Sequence, residues 1–214
     1  MQIKITSWDK CPINTYYEID NCLSSDRPDY EKQIELLSIV CECTENEIWE
    51  LPLTEVSSMI GQLKWINSFD FDKGRKFKKI KIGDMQCTVA QDLYGFTVAQ
   101  YVDFQTYWKS QQQHKLAEML SVFIIPEGKK YNQDYDMLEF QRLIGENVPM
   151  TVAQSVCFFF LKQLANSIRA LQIYLDWETG RMKKKMKDNK LKEQVEEARM
   201  EMNRLMKDFY GLLS

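Results

Sequence analysis

The sequence predicts a mainly α, α+β chain: a multi-helix domain with one small β-hairpin and a C-terminal amphipathic or coiled-coil helix. Three observations lead there. Apolar residues recur at steps of three and four through most of the 214 residues. Strict alternation of apolar and polar side chains is clear in one place, about 76–90, around Gly83-Asp84. With only 8 Gly and 5 Pro, the chain is neither collagen-like nor of low complexity.

In chain order, Gln2–Thr6 alternates and reads as a short strand, and Ile13–Leu23 reads as a short helix. Ser24–Pro28 is a turn and a helix start. The next helix spans Pro28 to Cys43, with Tyr30, Ile34, Leu37, Val40 and Cys41 on one face. Thr44-Glu45-Asn46-Glu47 is a capping box and opens a short helix that ends before Pro52. Thr54 begins another, with Val56, Ile60, Leu63 and Trp65 or Ile66 inward. The hairpin follows. Its first strand carries Arg75, Lys76, Lys78, Lys79 and Lys81, read as a solvated edge in preference to an anion site.

The tetrapeptide Thr-Val-Ala-Gln begins at Thr88, Thr97 and Thr151. The second and third copies read as capping boxes for helices over 97–109 and 151–177, with Gln100 and Gln154 as the reciprocal acceptors. Between them, Lys115–Ile124 reads as a helix, Pro126–Lys130 as a turn and Asp136–Gly145 as a short helix. Cys157, Phe160, Leu161, Leu164, Ile168, Leu171 and Leu175 form a continuous stripe on the longest predicted helix.

The character changes near Thr179-Gly180, which divides the chain into a helical core domain, 1–178, and a basic linker with a C-terminal heptad helix, 179–214. Arg181, Lys183, Lys184, Lys185 and Lys187 form a basic patch that continues to Lys192. Leu191, Val195, Ala198, Met202, Leu205, Phe209 and Leu212 then repeat at steps of 4 and 3, a heptad seam about three heptads long. Leu191, Val195, Met202, Leu205 and Phe209 are the candidate partner-binding residues. Tyr101, Phe104, Tyr107 and Trp108 are a second candidate contact group, and core packing is the competing reading for them.

Composition excludes several classes. A net charge of −3 argues against a dedicated nucleic-acid coat. The basic run lacks the interleaved aromatics of a single-strand binder, so nucleic-acid binding through Arg181–Lys192 ranks last among the readings. The most apolar stretch, Val148–Leu161, is too short to span a bilayer. No secretory leader is legible at the N-terminus, and the expectation is a cytosolic chain with six reduced cysteines. The cysteine spacing weighs against a zinc site made of Cys11, Cys22, Cys41 and Cys43, since the lone C-x-C has no C-x-x-C partner. A single histidine, His114, leaves little scope for triad or metal chemistry. Phosphate-loop, dinucleotide, zincin and nucleophile-elbow motifs are absent. Asp70-Asp72-Gly74 and Asn132-Asp134-Asp136 lack the terminal Glu of a calcium loop. The residues therefore point to no catalysis and no cofactor.

Several motifs occur in a familiar order: Leu51-Pro52-Leu53 before a helix, Thr97 through Gln105, Leu116 through Phe123 followed by Pro126 through Tyr131, and Cys157-Phe158-Phe159-Phe160-Leu161. This order resembles proteins of the tail and structural modules of tailed bacteriophages of Bacteroides-type gut bacteria, crAss-like phages included, some of them similar to tail or baseplate assembly chaperones. The resemblance covers about residues 45–178 and brings no catalytic residues. It implies a non-enzymatic protein acting in tail or baseplate assembly, in the host cytoplasm or as part of the virion. Its partners would be other tail proteins, such as the tape measure or baseplate subunits, or further copies of itself. The alternative role is a structural subunit of the tail, neck or baseplate.

Overall fold

A computed structural model describes residues 1–68, 76–93, 95–109 and 115–160, together with 162, 163, 166 and 181. The chain divides into two compact units, Met1–Phe158 and Phe159–Ser214. The described residues are mostly helical, with one small antiparallel sheet. The expected division at 178–179 lies outside the described residues.

The first unit opens with an extended segment that buries Ile3 and Ile5. Its alternation is real, but it joins no sheet. The Lys4 and Ile5 amides both donate to the carbonyl of Val40 (3.0 and 3.1 Å), close to the end of a helix. A 3-10 turn, Trp8–Lys10, leads to α1, Ile13–Ser24. Helix α2, Asp29–Cys41, stops before the expected Cys43 because Glu42 turns left-handed (φ 53°) and Cys43 donates back to Ser38. Tyr30 faces solvent, not the core, and meets the ring of Trp49 edge-on at 6.3 Å. The Thr44–Glu47 capping box forms as expected and opens α3, Glu45–Trp49. Arg27, in the turn before α2, reaches Glu31, Glu35 and Glu45 and so ties α2 to α3. Helix α4, Leu53–Gly61, runs into a 3-10 helix, Gln62–Asn67.

The hairpin is present, as β1, Lys79–Ile82, and β2, Met85–Val89. Gly83 has φ +56°, the position that a two-residue turn of the Gly-X kind requires. The sheet has a third strand, however. Strand β3, Ile124–Pro126, pairs antiparallel with β2 in the register Val89↔Ile124 and Cys87↔Pro126. The sequence reading placed Ile124 in a helix and Pro126 in a turn. The chain passes from α6, Leu116–Phe123, into β3 without a loop, so the helical pattern masks the strand. One sheet face buries Ile82, Cys87, Val89, Ile124 and Pro126. The other exposes Lys79, Lys81, Gln86 and Thr88, with Lys79 paired to Glu127 and Lys81 to Asp84. The basic first strand is a solvated edge where it is described.

Helix α5, Val98–Lys109, begins with the Thr97 capping box: Gln100 donates its amide to Thr97 Oγ1 (3.2 Å), and Thr97 donates its amide to Gln100 Oε1 (3.0 Å). Gln100 Nε2 then donates to the buried carbonyl of Val122 in α6 (2.8 Å). The Thr151 copy behaves differently. Pro149 supplies the first helical carbonyl, to Ala153, so the helix that follows begins at 150 and Thr151 lies inside its first turn. Thr151 Oγ1 donates instead to Asp9 Oδ1 (2.9 Å). The Thr88 copy lies at the end of β2 and caps nothing. Helix α7, Met137–Asn147, is capped by Asp136, whose Oδ1 accepts from Leu138 and Glu139. It packs on α6 and α1. At Gly145 a Cβ would meet the carboxamide of the exposed Asn14 of α1, which would have to swing aside. In the second unit, residues 159, 160, 162, 163, 166 and 181 are helical, and the rings of Phe159 and Phe160 meet edge-on at 5.3 Å.

Two predictions follow from these contacts. Thr97→Ala is expected to cost about 1 kcal/mol, the usual value of a cap. Gln100→Met should cost more, about 2 kcal/mol, because it also removes the donor to a buried carbonyl. Urea midpoints of the two variants check the order. The Arg27 hydrogen bond holds the Glu45 carboxyl below its ordinary value. A depressed carboxyl stabilises the fold above its unfolded pKa, and that contribution is lost as pH falls through the folded value. Glu45→Gln should therefore lose less stability than the parent between about pH 6 and pH 3.

Candidate functional site

The described residues of the first unit form a pocket of about 220 Å³ lined by Trp8, Tyr16, Ile19, Asp20, Leu23, Ile66 and Gln154. An engineered apolar cavity of about 150 Å³ accommodates benzene, so this one has room for a side chain. Four of the lining residues come from α1. Tyr16, Ile19, Asp20 and Leu23 are spaced i, i+3, i+4 and i+7 and share one stripe of that helix. The 3-10 turn supplies Trp8, the 3-10 helix after α4 supplies Ile66, and the helix starting at 150 supplies Gln154.

A pair of backbone hydrogen bonds brings the distant parts together. Ile13 donates to Val148 (3.2 Å) and Met150 donates to Cys11 (2.8 Å), on either side of a bridge between Pro12 and Pro149. Neither proline has an N–H to leave unpaired. The bridge sets the start of α1 beside the start of the 150–158 helix, and the Thr151–Asp9 hydrogen bond holds the same junction. Trp8 is 8% exposed, lies edge-on to Trp65 at 4.8 Å and is tilted against Tyr16 at 5.8 Å. On the neighbouring face of α1, the Tyr17 hydroxyl accepts the Leu116 amide (2.8 Å), tying α1 to α6.

Two polar features of the pocket stand out. Gln154 Oε1 is buried and has no hydrogen-bond partner among the described residues. Asp20, half-buried, has no ion-pair partner among them, and its charge joins burial in raising the Tyr16 hydroxyl above its ordinary value. Aromatic rings and a half-buried carboxylate thus meet in one concave place.

The residues suited to covalent chemistry point elsewhere. Cys11, Cys22, Cys41, Cys87 and Cys157 are buried, and burial pushes the thiols of Cys11, Cys22 and Cys157 up to about 12 and those of Cys41 and Cys87 to about 11. Such thiols stay protonated and unreactive at neutral pH. The displaced carboxyls, Glu45, Glu47 and Glu139, are all lowered, by hydrogen bonds from Arg27, Thr44 and Arg142 respectively. A general acid at neutral pH needs the opposite shift. Among the described residues no group of three or more His, Cys, Asp or Glu is placed to hold a metal ion. Asp134 and Asp136 are used as turn and cap acceptors.

Of the residues expected to make contacts, Leu191, Val195, Met202, Leu205 and Phe209 lie outside the described residues, as do Lys183, Lys184, Lys185 and Lys187. Arg181 is helical and exposed. The α5 group divides. Tyr101 is 53% exposed and forms an outer apolar strip with Val98 and Val102, whereas Phe104 is core, packed on Phe123 at 5.6 Å. Tyr107 is half-buried, its hydroxyl accepting from Gln141 Nε2. The side chain of Trp108 lies outside the described residues. The sequence reading missed the pocket. Its one advance signal is the Tyr16–Leu23 stripe, which is also the ordinary core pattern. Among the described residues no helix is long and apolar enough to cross a membrane.

Comparisons with family models, with curated proteins and with solved structures find no match for this chain.

Cys43, half-buried, is the most accessible thiol. Brief alkylation of the native protein near pH 8 should label Cys43 well before Cys11, Cys22 or Cys157, as read by peptide mapping. Early labelling at Cys157 would contradict the burial described here.

Proposed function

We propose that this chain is a non-enzymatic binding protein of a bacteriophage tail module, acting in tail or baseplate assembly through protein–protein contacts in the manner of an assembly chaperone. The observation that carries the binding reading is the pocket. It is concave and aromatic, large enough for one side chain, and opens along a helix stripe ending in Leu23, which is 44% exposed. That suits a partner segment anchored by a single residue, the side-chain-in-groove mode of recognition. Buried, protonated thiols and carboxyls held in the ionised form favour binding over catalysis. The phage context rests on the order of motifs from Leu51 to Leu161, and the proposed partners are tail proteins such as the tape measure or baseplate subunits. The outer strip of α5, Val98, Tyr101 and Val102, offers a second contact surface.

Mass spectrometry of purified particles beside infected-cell lysate tests the assignment. Presence in the lysate and absence from particles is the expected result for a chaperone. Stoichiometric presence in particles would replace it with a structural tail, neck or baseplate subunit, and absence from both would remove the phage reading. Leu23→Trp, which fills the pocket mouth from an exposed position, should abolish co-purification of the partner and leave the fold intact by circular dichroism. Unchanged co-purification would move the contact elsewhere.

A further inference from the structure

We propose that the thiols of Cys41 and Cys43 and the thioether of Met1 form a three-sulfur site for one Cu(I) ion. The site shares no residue with the pocket and does not depend on the binding reading above.

The backbone brings these sulfurs together. On a continuing helix a C-x-C pair would point its side chains to nearly opposite sides, since each residue turns by about 100°. Here α2 stops at Cys41, Glu42 turns left-handed (φ 53°), and the Cys43 amide donates back to the Ser38 carbonyl (3.0 Å). That turn folds Cys43 over the helix end and brings its thiol into hydrogen-bonding contact with the thiol of Cys41. The N-terminal segment crosses the same helix end, where the Lys4 and Ile5 amides meet the Val40 carbonyl. It carries Met1 to Cys43, whose thiol donates to Met1 Sδ (3.6 Å). Two sulfurs bound to one metal at about 2.3 Å each stand about 3.8–4.0 Å apart, so the observed 3.6 Å is close to what a shared ion needs.

The donor set chooses the metal. Thiolate and thioether sulfur are soft ligands, and they select Cu(I). Among the described residues no His, Asp, Glu or third Cys completes a group of three with this pair, so a four-ligand zinc site lacks its ligands here. The ion replaces the two thiol protons, which leave to solvent, and no oxidation state changes. Two thiolates, one neutral thioether and Cu(I) leave one net negative charge. Burial raises both thiols, and the nearby Lys4 ammonium opposes it at each, so the same cation offsets the charge of the complex. Cys41 is only 4% exposed, but the ion takes the place of protons between sulfurs already in contact. It enters from the side of half-buried Cys43 and of Met1, which is 49% exposed.

The experiment uses the full chain, reduced and free of oxygen. Cu(I) is supplied as its acetonitrile complex in competition with a chromogenic Cu(I) chelator. The chain should withdraw one equivalent, seen as one copper per chain by native mass spectrometry. Loss of an outer partner of a metal ligand costs about 10- to 100-fold in affinity, so Cys43→Ser, which removes a ligand itself, should weaken binding by at least about 100-fold. Met1→Leu, released from a leader cleaved just ahead of residue 1, should weaken it about tenfold, because a thioether is an uncharged donor. Zn(II) should bind far more weakly than Cu(I). In the unaltered chain, one equivalent of Cu(I) should protect Cys43 from alkylation, which gives an answer even where a variant fails to fold.

Failure to withdraw copper from the chelator would overturn the site. Uptake unchanged by Cys43→Ser, or Cys43 alkylated at full rate in the loaded chain, would place the copper on other thiols and overturn it as well. Zn(II) binding as tight as Cu(I) would overturn the choice of metal, and full affinity in Met1→Leu would remove the thioether from the site.

Discussion

The first unit is organised around five consecutive residues, Leu120 to Ile124, each 0 or 1% exposed. A segment buried on every side cannot pass its polar groups to water, so each must find a partner within the protein. The Val122 carbonyl takes Gln100 Nε2. The Phe123 carbonyl takes the Ala90 amide, and the Ile124 amide returns to Leu120. Ser121 donates to Glu118 and accepts from Gln141 Nε2. Gln100, Ala90 and Gln141 come from three other parts of the unit: α5, the end of β2 and α7. Satisfying this stretch therefore fixes the positions of α5, α7 and β2 in one act. The rings of Phe96 and Phe104, both within 6 Å of Phe123, close the apolar side.

This requirement also explains the change from helix to strand without a loop. The backbone at Phe123 and Ile124 must face β2, where Val89 waits opposite Ile124. A loop would have exposed polar backbone inside the core. Pro126 then ends the strand at the sheet edge, where its missing N–H leaves no gap in the ladder. The lysines of β1 guard the opposite edge, in the manner common to exposed strands.

What was legible in the sequence was local. The boxes at Thr44 and Thr97 and the turn at Gly83 are three- and four-residue signals with their own hydrogen bonds, and they form where expected. Signals that compete with a neighbour were misread. Thr151 has the right spacing for a cap, but Pro149 stands two residues earlier and supplies the first helical carbonyl, to the Ala153 amide, which frees Thr151 for Asp9. Ile124 fits the α6 pattern and a strand equally, and only its pairing with β2 decides. Tyr30 fits the α2 stripe, yet it lies at the helix start, beyond the reach of the core. The pocket was beyond reach altogether. Trp8 and Gln154 are far apart in sequence, and the Pro12–Pro149 bridge that unites them has no sequence signature.

That bridge links architecture to the proposed role. Two helices that begin side by side direct their first turns toward a common junction, and the residues one or two turns along each face the same space. A tight core would fill that space with apolar side chains. Here it is left as a concave pocket beside two aromatic rings and the Asp20 carboxylate. Unsatisfied buried oxygens cost stability, and close packing is the rule in interiors. Along Leu120–Ile124 that rule is followed, with the Val122 and Phe123 carbonyls and the Ser121 hydroxyl all partnered. Trp65 Nε1 and Tyr135 Oη are, like Gln154 Oε1, buried without a hydrogen-bond partner among the described residues, so it is the concavity beside Asp20 and the rings, and not an orphaned oxygen, that favours an occupant.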